Sequence, residues 1–104
     1  MLLKVHDLEI DLDGQRVFRS GRPIALAPRE YRLLELLARR RGRLVNSVLI
    51  WQHFHGDLTD YDAGRISGYV RALRDKIDKG FDPALIVTRW GSGYMLRDDD
   101  AACG

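Results

Sequence analysis

The segment RISGYVRALRDKID, residues 65–78, carries three arginines, Arg65, Arg71 and Arg74, beside a run of apolar residues with helical spacing. Ile66, Val70, Leu73 and Ile77 fall at i, i+4, i+7 and i+11, a narrow stripe that a helix turns toward a core. The arginines stand outside that stripe, with little acid among them. A guanidinium is planar, permanently charged and rich in donors, so arginines placed this way suit an anion carried by a partner. The plain alternative is a solvated face on which arginines lay their stems along the surface.

The charge pattern fits either reading. The net charge is only +2, but it is unevenly spread. Residues 26–56 carry Arg29, Arg32, Arg39, Arg40, Arg41 and Arg43 against Glu30 and Glu35, and residues 64–97 are again mostly basic. Asp57, Asp60 and Asp62 form an acidic interval between them, and Asp98, Asp99 and Asp100 close the chain with another. Alternating blocks of this kind give a directional field, such as one that meets a polyanion on one face. Chance clustering on a solvated surface is the other explanation.

Other chemistry is poorly supplied. His53 and His55 would point about 200° apart around a helix, His6 is distant, and Cys103 lies beside the C-terminus. The ligand spacings of zinc sites are absent. Nothing pairs a nucleophile with a base, and there is no P-loop, GxSxG or dinucleotide fingerprint. No catalytic residue, metal site or cofactor is expected. A single cysteine, the lack of a long apolar run and an N-terminus without a signal-like segment make a soluble cytoplasmic domain the expectation, with no membrane partner.

The elements that must position the arginines can be read in order. Across 104 residues, 45% hydrophobic, one domain with a real core is expected, at residues 1–97, followed by a frayed acidic tail at 98–104. The turn signals DLDGQ and RSGRP separate short β-rich runs, predicting a small antiparallel sheet of three or four strands within residues 1–26. The period then changes. APREYRLLELLARRRGR starts a helix at Pro28 and runs Tyr31, Leu34, Leu37 and Ala38 along one face to about residue 41. Ala27 is a poor cap there, and the missing hydroxyl should cost about 1 kcal/mol. A second helix follows the cap Asn46, with Val48, Leu49, Ile50, Trp51 and Phe54 mostly in the core and Gly56 as its stop. The loop 56–63 leads into a third helix over residues 62–78, and ALIVTRWGSGYML forms a terminal β-hairpin hinged at GSG. Small sheet, three helices and hairpin together predict an α+β winged helix-turn-helix.

Three of these pieces resemble one family. LAPREYRLLELLARRRGRLV resembles the first-helix signature of OmpR/PhoB-type response-regulator effector domains, RISGYVRALRDKID their recognition helix, and LIVTRWGSGYML their wing. The pieces are collinear and cover nearly the whole chain. The resemblance implies sequence-specific binding of double-stranded DNA in transcription regulation. The third helix would lie in the major groove, the hairpin on the adjacent minor groove or backbone, and the first helix behind as scaffold. It assigns DNA contacts to Arg65, Ser67, Tyr69, Arg71 and Arg74 on the helix, and to Thr88, Arg89 and Trp90 on the hairpin. Head-to-tail pairs on repeated sites, and RNA polymerase at the loop 56–63, are the further partners it suggests. Such domains normally follow a receiver domain, for which this chain has no room, so an excised effector domain or a stand-alone protein is expected.

Several positions depart from the family pattern. Gly68 weakens the helix but allows close approach to a base edge or phosphate, or else marks a helix that has given up reading surface. Ala72 can touch a thymine methyl but cannot pair with guanine. Trp90 stands where an arginine is common, either packing on a sugar-phosphate edge or plugging the hairpin base. Alternation along the strand puts Arg89 on the opposite face from Thr88 and Trp90. The cluster RRRGR at 39–43 is explained by the helix C-terminal dipole, with Arg43 the candidate exception. Gly68, Ala72 and Trp90 also keep a second class open, a winged helix that docks a protein and binds DNA weakly or without sequence preference.

Overall fold

The structure is a computed structural model and describes residues 1–98; the acidic tail lies outside them apart from Asp98. Four strands, β1 (Leu2–Val5), β2 (Leu8–Asp11), β3 (Arg16–Arg19) and β4 (Arg22–Ile24), form an antiparallel meander in sequence order. Three helices follow, α1 (Pro28–Arg39), α2 (Ser47–His55) and α3 (Ala63–Ile77), and then the hairpin β5 (Ile86–Arg89) and β6 (Gly93–Leu96). This is the expected winged helix-turn-helix.

The strands alternate as a half-buried sheet must. Leu3, Val5, Leu8, Ile10 and Val17 turn inward and join α1, α3 and the hairpin in one core. On α1 the buried face is wider than the predicted stripe, because Leu33 and Leu36 are buried along with Tyr31, Leu34, Leu37 and Ala38. Ala27 offers no side-chain acceptor, but half of a capping box survives, since its backbone N–H donates to Glu30 Oε1 at 2.9 Å. Asn46 caps α2 as expected, accepting from the Leu49 N–H at 2.8 Å. Only Ile50 and Trp51 of α2 are fully buried; Leu49 and Phe54 are half-buried and Val48 faces solvent, because a nine-residue helix has one core face and Val48 lies off it.

The inward position at the end of β3 is an arginine. Arg19 is fully buried and donates from Nε to Asp7 at 2.7 Å, from Nη1 to the Ile77 carbonyl at 2.6 Å and to Asp78 at 3.2 Å, and from Nη2 to the Pro83 carbonyl. Asp78 in turn accepts from the backbone N–H groups of Leu85 and Ile86 at 2.9 and 3.1 Å. One side chain thus joins the N-terminal sheet to the end of α3 and the start of the wing. Sequence reading missed it.

The hairpin is also pinned to the turn before α2. Val45 and Tyr94 exchange both backbone hydrogen bonds, at 2.7 and 2.9 Å, and the Gly42 N–H donates to Leu96 O at 2.8 Å. Gly93 makes this approach possible: its φ is +135°, and a Cβ there would stand 2.4 Å from Val45 O.

Candidate nucleic-acid interface

Helix α3 presents four faces. Ile66, Val70, Leu73 and Ile77 are buried. Gly64, Gly68, Arg71 and Asp75 repeat the same spacing on the opposite side, and all four are exposed. Between these faces run two flanks, one beside the wing and one beside α1 and α2. Asp62 caps the helix, accepting from the Gly64 N–H at 2.8 Å.

The wing flank is held by side chains. Arg74 donates from Nη2 to the Ile86 carbonyl at 3.1 Å and to Thr88 Oγ1. Ser67 Oγ lies 3.1 Å from the Tyr94 hydroxyl and donates to the Ala63 carbonyl at 3.3 Å. Arg74, Thr88 and Ser67, all predicted to contact a partner, therefore also lock the hairpin alongside the helix. Arg89 ends β5, and its carbonyl accepts from the Ser92 N–H at 2.9 Å to close the wing turn. Trp90 is 94% exposed at that turn, so it does not plug the hairpin base. The strand ends at Arg89, and Trp90 stands in the turn that follows it.

The other flank carries Arg65 and Tyr69. The Arg65 guanidinium lies 5.4 Å from the Trp51 ring. Tyr69 is half-buried, edge-on to Phe54 at 5.8 Å, with the Arg29 guanidinium 4.4 Å above its ring. Its hydroxyl is buried without a hydrogen-bond partner among the described residues. Between the flanks only Arg71 offers a cation on the outward face, and it makes no ion pair among the described residues. Around Gly68 a Cβ would meet nothing within 4 Å, so packing inside the domain does not require the glycine.

Groups outside this surface are locally engaged. Arg39 pairs with Glu35 at 3.2 Å, and Arg41 donates to the Ala38 carbonyl at the end of α1. In the loop 56–63, Asp57 accepts from the Thr59 N–H at 3.0 Å, while Leu58 and Tyr61 remain exposed. Among the described residues no three His, Cys, Asp or Glu side chains gather as metal ligands, and no helix is long and apolar enough to cross a membrane.

Residues 21–96 match the family described as "Transcriptional regulatory protein, C terminal". The chain is 40% identical over 97 residues to the transcriptional regulatory protein CusR of Escherichia coli K12, covering 93% of this chain and 43% of that one. It is 41% identical over 93 residues to PcoR of Escherichia coli, covering 89% and 41%. The chain thus spans less than half the length of these relatives. Among solved structures it superposes on the response regulator DrrB, a Thermotoga maritima OmpR/PhoB homologue, with a TM-score of 0.81 at 30% identity over 92% of this chain and 44% of that one. The DNA-binding domain of CpxR from Escherichia coli gives 0.78 at 28% identity, over 94% and 97%. With a family match across most of its length and the same order of sheet, helices and hairpin, the chain belongs to the OmpR/PhoB-type transcriptional regulatory C-terminal domains.

Proposed function

We propose that this domain binds double-stranded DNA sequence-specifically to regulate transcription, as the effector part of a two-component response regulator. Helix α3 enters the major groove with Gly64, Gly68, Arg71 and Asp75 toward the bases, and the hairpin rests on the neighbouring minor groove or backbone. The observation that carries this is the outward face of α3. It offers one arginine without an ion pair among the described residues and an open glycine, on a helix that Arg74 and Ser67 lock to the wing as one rigid reading head.

Within this reading Arg71 reads a base edge. Arg65 and Thr88 meet phosphates, Tyr69 takes part through its ring as the seat of the Arg29 guanidinium, and Arg89 and Trp90 lie against the sugar-phosphate edge beneath the wing. Ser67 and Arg74 contact DNA from the positions their bonds to the wing give them. Head-to-tail pairs on repeated half-sites belong to the same reading, as does contact of RNA polymerase with the loop 56–63, where Leu58 and Tyr61 are exposed. A gel-shift titration at physiological salt, on a duplex recovered by selection, tests the central assignment. Arg71→Ala should lower affinity for that duplex while leaving affinity for an unrelated duplex nearly unchanged. Equal loss on both would move Arg71 from base to phosphate.

A further inference from the structure

The flank of α3 away from the wing continues onto α1. The Arg29 guanidinium sits 4.4 Å over the Tyr69 ring, and that of Arg32 sits 4.8 Å over Phe54. Phe54 and Tyr69 touch edge-to-face at 5.8 Å, which makes the two sites one surface. Arg65, one turn before Tyr69 on α3, lies over Trp51. Three exposed guanidinium groups therefore rest on an aromatic bed contributed by α2 and α3.

No carboxylate among the described residues neutralises them. Among the described residues Glu30 is engaged by Lys76 at 3.2 Å and Glu35 by Arg39, and neither Arg29, Arg32 nor Arg65 forms an ion pair. Among the described residues the only side-chain hydrogen bond from this set runs from Arg32 Nη2 to the His53 carbonyl at 3.3 Å. A guanidinium stacked on a ring is already oriented, so less side-chain freedom is lost when it binds an anion.

The dimensions of the duplex say which anion. A helix with its side chains is about 10–12 Å across, and the major groove is about 12 Å wide. A helix that fills the groove brings both flanks against the phosphate ridges. The wing occupies one flank. We propose that Arg29 and Arg32 of α1, together with Arg65, clamp the phosphates of the opposite ridge, so that α1 is a contact element as well as scaffold. The occupant is a phosphate backbone because the patch is continuous with α3 through Tyr69 and Arg65, and because the guanidinium fork matches phosphate oxygens. The inference rests on α3 entering the major groove.

The test compares the wild type with an Arg29→Gln, Arg32→Gln pair and an Arg29→Lys, Arg32→Lys pair, on a duplex recovered by selection from a randomised library. Each phosphate contact contributes about 0.9 to the slope of log affinity against log salt, so the glutamine pair should lower that slope by about 2. The lysine pair should keep it, and the base preference of both should match the wild type. Phosphate ethylation along the ridge opposite the wing should interfere with the wild type and not with the glutamine pair. An unchanged slope in the glutamine pair, with Arg71→Ala still weakening binding, would overturn the role of α1 alone. Equal loss in the lysine and glutamine pairs would make the arginines structural and overturn it too. Failure of the wild type to retain any duplex would instead remove the groove reading on which the clamp depends.

Discussion

Arg71 and Arg74 lie three positions apart, and their types alone made them equal candidates. Their surroundings separate them. Arg71 is exposed on the outward face, whereas Arg74 is half-buried and spends donors on Ile86 and Thr88 of the wing. Arg71→Ala should cost roughly 1–3 kcal/mol of binding to the cognate duplex and leave stability within about 0.5 kcal/mol. Arg74→Ala should lower both, because it frees the hairpin as well as removing a charge. Parallel binding and thermal-unfolding measurements check this, and an Arg74→Ala variant that melts like the wild type would exclude the wing tie. The helical period told which side of α3 each arginine occupies. It could not tell which element packs beside that side, so the ties from Arg74 and Ser67 to the wing were not legible. Of the two readings of Trp90, the plug of the hairpin base fails because β5 ends at Arg89 and Trp90 stands exposed in the turn that follows.

At the scale of the element, α3 and α1 each carry a local weakness with a different origin. Gly68 faces open space, so a methyl group there should be accepted, and Gly68→Ala should raise helix stability by up to about 1 kcal/mol. If the backbone at Gly68 approaches the DNA closely, the same change weakens binding; a variant that is more stable and binds as tightly would show that the glycine has no part in recognition. In α1 the missing piece is the cap hydroxyl. Ala27→Ser completes the box whose other half is already formed by Glu30, and should stabilise the domain by about 1 kcal/mol in chemical denaturation. No gain would mean that the serine hydroxyl does not reach the first-turn N–H groups. These elements were the most legible part of the chain, because an apolar stripe of period 3.6 and the cap residues that bound it lie close together in sequence. The arginine–aromatic surface of α1 was not legible, since Arg29 and Tyr69 meet only when α1 and α3 pack.

At the scale of the molecule, the sheet, α3 and the wing converge on Arg19. Its partners lie 12 to 64 positions away in the chain, beyond any local pattern, and an arginine at an inward strand position offers no periodic signal. Arg19→Met would leave the buried Asp78 without its cation and should cost about 3–5 kcal/mol in chemical denaturation. A loss under about 1 kcal/mol, the scale of an exposed pair, would mean that the brace is not needed. The same cluster sets the response to acid. Burial raises the pKa of Asp7, but hydrogen bonds from Ser20, Arg19 and His6 outweigh it and hold the carboxyl well below the usual range. A carboxylate with a depressed folded pKa stabilises fully above its unfolded value of about 4 and loses that contribution as pH falls through the folded one. The melting temperature should therefore drop below about pH 4, and Asp7→Asn should flatten the drop; identical acid profiles would assign the sensitivity to other groups. The central claim for the molecule is that it reads a DNA sequence. Selection from a duplex library with a randomised core, at physiological salt, tests this most directly. Enrichment of a motif, repeated about one helical turn apart where two copies bind head to tail, is the expected result. Retention of duplexes without any enriched motif, or no retention even at low salt, would contradict it.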